Sequence, residues 1–163
     1  METTPKLFNS NKVTYTNVRV IDIYDGDTIT VAIQLFPDKL KQETICQKKV
    51  RLMHIDCPEM KSKNCINRQL AVKARDRLYN LITGLTDIQL KRSKMCEKLS
   101  EKAYLVTIKI YGEDMYGRLL ADVYAYNNTS AKSFSHVLLD EKLAYRYDGA
   151  TKLTEGEIEE QLG

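Results

Sequence analysis

The feature that most narrows the fold is a change of period between residues 55 and 67. Before it, apolar residues recur every second position; after it, they recur at helical spacing. KVTYTNVRVIDIY (12–24) reads as a strand, with Val18, Val20 and either Ile21 or Ile23 facing inward. The Asp-Gly pair at 25–26 is a hairpin turn signal, and TITVAIQLF (28–36) is the returning strand. PDKLKQETICQKK (37–49) is a polar excursion expected as a long hairpin loop, and VRLMHI (50–55) is a third strand in meander order. NRQLAVKARDRLYNLITG (67–84) then places Leu70, Ala74, Leu78 and Leu81 on one helical face, with Gly84 as a C-terminal stop.

LTDIQLKR (85–92) and AYLVTIKIY (103–111) return to alternation, joined by a lysine-rich connection. GEDMYG (112–117) is a turn, RLLADVYAY (118–126) a strand, and AKSFSHVLLDEKLA (131–144) a helix. The order condenses to βββ-α-ββ-α: an α+β, mainly β chain. A five-stranded OB-type barrel with two helices suits it, though pattern alone leaves other α+β arrangements open. A length of 163 residues suits one domain. Its expected limits are a flexible lead over 1–12, a folded body over 13–152 and an acidic tail over 153–163.

Charge is unevenly spread. Four of the 22 acids (Glu155, Glu157, Glu159, Glu160) lie in the last nine residues, and no Lys or Arg follows Lys152. The body before them holds all 25 basic side chains against 18 acidic ones, a balance that favours polyanions. A solvated lysine-rich surface explains the same numbers. No apolar run resembles a signal peptide or is long enough to span a membrane, so an intracellular, cytoplasmic protein is expected. The cysteines at 46, 57, 65 and 96 form no CxxC pair or metal-ligand spacing and read as free thiols.

Carboxylates interrupt the strand pattern at two places. DGDT puts Asp25 and Asp27 on either side of a glycine, and IDCPE puts Asp56 and Glu59 at the exit of the third strand. Taken singly, each is accounted for as a turn. In a meander, however, the start of the second strand lies beside the end of the third, so Asp27 and Asp56 converge with Glu59 nearby. Such a cluster requires a cation, a proton or an arginine. An all-oxygen set suits Ca²⁺ or Mg²⁺ rather than zinc. Arg51 and Arg118 sit in comparable places, and a guanidinium fork matches phosphate oxygens bidentately. Positions 51 and 56 differ by five, so a bulge or bend must intervene if both address one site.

Together DGDT (25–28), VRLMHIDCPE (50–59) and DMYGR (114–118), followed by AYRY (144–147), resemble the staphylococcal nuclease (thermonuclease) family over about residues 13–152. The resemblance implies an OB-fold barrel and a Ca²⁺-dependent phosphodiesterase acting on DNA and RNA, leaving 3′-phosphate ends. It implies that Asp27, Asp56 and the backbone carbonyl of Cys57 bind calcium. Glu59 would orient or deprotonate water, and Arg51 and Arg118 would hold the phosphate and stabilise the transition state. Tyr116, Tyr145 and Tyr147 would line the nucleotide pocket, with Asp25 supporting the metal ligands from the turn. A monomer bound to nucleic acid, single-stranded or locally opened, is the expected state. The alternative is a silent module that binds nucleic acid or a protein partner; a calcium sensor is a third, weaker reading.

Overall fold

A computed structural model describes residues 13–34 and 45–163. The expected lead over 1–12 and most of the expected hairpin loop over 37–49 lie outside the described residues. Five strands close a barrel in the order β1-β2-β3-β6-β5: β1 Val13–Ile23, β2 Thr28–Ile33, β3 Cys46–Leu52, β5 Leu105–Glu113 and β6 Leu119–Ala125. All neighbours are antiparallel except β3 and β6. This is the OB-type barrel that the pattern suggested.

Alternation fills the barrel. Val31, Val50, Ile108, Ile110, Ala121 and Val123 are all buried. In β1 the inward residues are Val18, Val20 and Ile23, an odd spacing at the end. The register against β2 slips between Val20 and Asp22, and this bulge flips the parity so that Ile23 rather than Ile21 turns inward.

Four helices accompany the barrel among the described residues, where two were expected. α1, Cys65–Thr83, begins two residues before the expected helix. The Asn64 side chain caps it by accepting from the N–H groups of Ile66 and Asn67, and Gly84, in the left-handed region at φ 71°, ends it. α2, Arg92–Glu101, replaces the lysine-rich connection; Met95 and Leu99, one turn apart, bury its inner face. α3, Phe134–Asp140, is shorter than the expected 131–144 and is capped by Ser133. α4, Glu155–Leu162, occupies the stretch expected as an acidic tail.

Residues 85–91 do not form the expected strand. Their backbone is held by α1 side chains instead: Asn80 donates to the carbonyls of Leu85 and Asp87, Arg75 donates to that of Leu90, and the Gln89 N–H donates to Asp76. α4 forms because Thr154 and Glu157 make a reciprocal capping box, and Ile158 packs on Leu70 and Tyr145. Ser62 and Asn64 donate to Glu155 and Glu159, which ties α4 to the loop before α1.

Candidate functional site

The expected bend before Asp56 is present. After Leu52 the chain turns through Met53 and His54, and His54 adopts φ 67°. The Met53 N–H donates to the Ala121 carbonyl, and the His54 carbonyl accepts from the Tyr147 N–H. Ile55–Asp56 then forms a new two-residue strand, β4, paired with β7, Tyr145–Arg146. The change of direction removes the parity conflict, and Arg51 and Asp56 meet in an ion pair of 2.6 Å.

The first carboxylate arrives through the sheet register. Thr28 pairs with Arg51, and the Asp27 carbonyl accepts from the Leu52 N–H at 2.8 Å, so the start of β2 lies beside the end of β3. Gly26 permits this approach: a Cβ there would lie 2.6 Å from the Ala74 Cβ and 2.8 Å from the Cys57 Sγ. Asp27 accepts at Oδ1 from the Thr28 hydroxyl and at Oδ2 from the Cys57 N–H, each at 3.0 Å. Asp25 accepts from the Asp27 N–H at 3.2 Å and so braces the turn.

Arg51 is the hub. Its guanidinium reaches Asp56 and, at 3.4 Å, Asp27, and donates to the Ile55 carbonyl at 3.0 Å. Asp27, Arg51 and Asp56 are each less than a tenth exposed. Burial, then the charges of Asp25 and Asp56, push the Asp27 carboxyl up to about 8; Arg51 opposes this but is shared with Asp56. Burial also raises the Cys57 thiol, aided by the same carboxylates, and keeps it neutral. Tyr145 does not open onto the cleft. It is buried, its hydroxyl donates to Asp56 Oδ2 at 2.5 Å, and burial followed by this bond raises its pKa.

Beside this buried triad is a cleft of about 570 Å³ lined by Asp25, Asp27, Arg51, Asp56, Cys57, Glu59, Tyr116, Arg118 and Tyr147. Nine of the ten residues expected at the site therefore share one cleft, and Tyr145 supports it from behind. Glu59 is exposed and, among the described residues, has no side-chain partner. Arg118 donates to Asp114 at 2.6 Å and lies over the Tyr116 ring at 5.6 Å. Burial works against ionisation of Asp114, but the Arg118 N–H and guanidinium and the Tyr116 N–H outweigh it and hold its pKa low. Tyr147 faces two cations, Arg51 and Lys152, each 5.8 Å from its ring centre.

Sequence reasoning missed Lys152, whose ammonium lies 3.4 Å from Asp56 Oδ1. A lone lysine in a loop gives no signal; only the docking of α4 brings it here. It also missed Asp114, though the DMYGR turn that orients Arg118 begins with it. Among the described residues lining the cleft, four acids, Asp25, Asp27, Asp56 and Glu59, face four basic side chains, Arg51, Lys61, Arg118 and Lys152.

The donor set fits a hard divalent cation in type and charge. Two carboxylates converge beside Arg51, and burial, then the neighbouring acids, raise the Asp27 carboxyl, so the metal-free protein keeps a proton there that a bound cation would displace. Among the described residues no three His, Cys, Asp or Glu side chains form a metal cluster by themselves. An ion here would complete its shell with backbone oxygen and water.

The family model described as "Staphylococcal nuclease homologue" matches residues 49–162, well over half of the chain. The match takes in Arg51, Asp56, Glu59, Arg118 and α4, whereas Asp27 precedes it and joins the site through the β2–β3 register. No curated protein matches the chain.

Proposed function

Because the chain belongs to the staphylococcal nuclease homologue family, we propose that it is a metal-dependent phosphodiesterase hydrolysing DNA, RNA or both, with Ca²⁺ as its ion and 3′-phosphate products. The observation that carries this reading is the position of Arg51. One buried guanidinium joins two buried carboxylates and also lines the cleft that holds Arg118 and Glu59.

Asp27, Asp56 and the Cys57 carbonyl would hold Ca²⁺, which supplies positive charge to a phosphate oxygen when bound. Arg51 and Arg118 donate N–H groups to the remaining phosphate oxygens, where charge grows during in-line attack. Glu59, exposed and without a side-chain partner among the described residues, orients the attacking water and takes up its proton. The faces of Tyr116 and Tyr147 flank the phosphate-binding arginines and offer stacking surfaces to bases. Tyr145 holds Asp56 in place through its hydroxyl. Lys152 neutralises Asp56 in the free protein and is available to a phosphate once Asp56 takes a metal ion.

The charge balance supports metal dependence. With the buried Asp27 carboxyl protonated, the described side chains of the cleft carry three negative charges against four positive ones, and a divalent ion that ionises Asp27 as it binds raises this small excess. The test is incubation of the chain with single-stranded DNA and RNA in Ca²⁺ or in EGTA. Cleavage in Ca²⁺ that EGTA stops, with 3′-phosphate ends, is expected. Absence of cleavage with every divalent ion would overturn the reading in favour of a binding module. One observation favours that second reading: every carboxylate oxygen of Asp27 and Asp56 already has a protein donor or cation beside it.

A further inference from the structure

A second concavity, of about 960 Å³, adjoins the cleft, and the two share Met60. It runs along the outer face of α1 and is closed on its far side by residues 88–91. Its charge differs sharply from that of the cleft. Among the described residues five cations line it, against a single acid, Asp76. Asp76 is buried, beside Arg75 and bonded to the Gln89 N–H, and Arg77 is taken up by Glu141 outside the groove. Arg68, Lys73 and Lys91 are left exposed and, among the described residues, without a carboxylate partner. Between them the floor is apolar, and Ile88 is 69% exposed on its rim.

We infer that this groove binds the phosphate backbone of a single polynucleotide strand, carrying it away from the cleft past Met60 and along α1. The inference rests on the nucleic-acid reading of the cleft and extends it to a second surface. Charge complementarity selects the occupant: a concave, mainly basic surface, with Lys73 and Lys91 unpaired and Arg68 bonded only to the Ser62 and Lys63 carbonyls among the described residues, attracts a polyanion. The α1 residues lining it, from Cys65 to Asn80, span about 22 Å at the helical rise, room for several nucleotides. Among the described residues no aromatic side chain lines the groove, so it holds the backbone without reading bases and imposes no sequence preference. Its cations act without metal, whereas the phosphate site of the cleft is completed only when an ion is bound. Groove binding is therefore metal-independent.

That difference supplies the test. Binding of a fluorescent 12-nucleotide single strand to the full chain is measured in EGTA at several salt concentrations. Two variants are compared with wild type: the groove variant Lys73→Gln/Lys91→Gln and, as a charge-matched control, Lys49→Gln/Lys142→Gln, two exposed lysines outside both the groove and the cleft. For three phosphate contacts wild type should show a log–log salt slope near −2, and the groove variant a slope near −0.7, at roughly 0.7 per contact. Its affinity at about 50 mM salt should fall on the order of tenfold. Exposed Lys→Gln changes leave the fold intact. The control variant should bind as wild type does in EGTA. Wild type that binds no strand in EGTA, or a groove variant with unchanged slope, would overturn the groove. If calcium-dependent cleavage persists in either of those cases, the groove falls while the proposed activity stands. Metal-independent binding lost in the groove variant, by a protein that never cleaves, would uphold the groove and sink the proposed activity.

Discussion

Replacing Asp27 by Asn should stabilise the metal-free protein while removing a metal ligand. The buried Asp27 carboxyl titrates at about 8, far above a free aspartate. Because the folded value exceeds the unfolded one, the unfolded chain releases this proton first as pH rises. The stability linked to Asp27 is therefore full below about pH 4, declines from there, and levels off above about pH 8. At pH 7 the loss is about 4 kcal/mol relative to a group that does not ionise. Against this, an amide accepts at only one of the two positions that now receive the Thr28 hydroxyl and the Cys57 N–H, costing about 1–1.5 kcal/mol. The Arg51 contact at 3.4 Å is also weakened. The net gain expected at pH 7 is about 1–3 kcal/mol, or a rise in Tm of roughly 2–10 °C. The assay is urea unfolding in EGTA from pH 4 to 9, followed by far-UV circular dichroism because the chain has no tryptophan. A stability gap that opens between pH 4 and 8 supports the buried, under-compensated carboxylate. An Asn variant no more stable than wild type at pH 8, or a gap that does not change with pH, would refute it.

Further expectations divide the site by role. Tyr145→Phe leaves a buried Asp56 oxygen without its donor and should cost about 1–3 kcal/mol of stability, read by the same unfolding assay. Tyr147→Ala, at the cleft wall and half-buried against Leu70, Tyr145 and Ile158, should weaken nucleotide binding by titration and cost about 1–2 kcal/mol of stability. Lys152→Met removes a cation 3.4 Å from Asp56, so calorimetry should show tighter Ca²⁺ binding while the KM for nucleic acid rises; two shifts in one direction would contradict its role. Gly26→Ala drives a methyl group into Ala74 and Cys57 and should destabilise the protein by about 1–3 kcal/mol. A midpoint unchanged from wild type would show that the turn has room.

The barrel was legible because inward residues alternate in β2 (Ile29, Val31, Ile33), β5 (Val106, Ile108, Ile110) and β6 (Leu119, Ala121, Val123), and α1 because Leu70, Ala74 and Leu78 repeat along it. Asp27 and Asp56 could be brought together from the meander alone, and the five-residue offset from Arg51 required the bend that His54 supplies. The misses have physical causes. Residues 85–91 alternate, yet Asn80, Arg75 and Asp76 satisfy their backbone groups, which no periodicity reveals. α2 has only two buried residues in ten, too few for a visible stripe. α4 did leave a signal, since TEGE places Thr154 three residues before Glu157 as a capping box requires. Its acidity obscured that signal. With α4 went Lys152, which reaches Asp56 only because the helix is tied to Ser62 and Asn64. Only the family resemblance places Tyr145 at the nucleotide pocket, and only the β4–β7 pairing shows its hydroxyl turned to Asp56.

The central claim is that Arg51 serves a phosphodiester substrate as well as the two carboxylates. Arg51→Lys keeps the positive charge beside Asp27 and Asp56 but removes the planar fork that a phosphate requires. The decisive measurement is the initial rate of single-stranded DNA cleavage in Ca²⁺ by this variant and by wild type, both folded by circular dichroism. A rate lower by about 10²-fold or more is predicted. A lysine variant that cleaves at the wild-type rate would contradict the account.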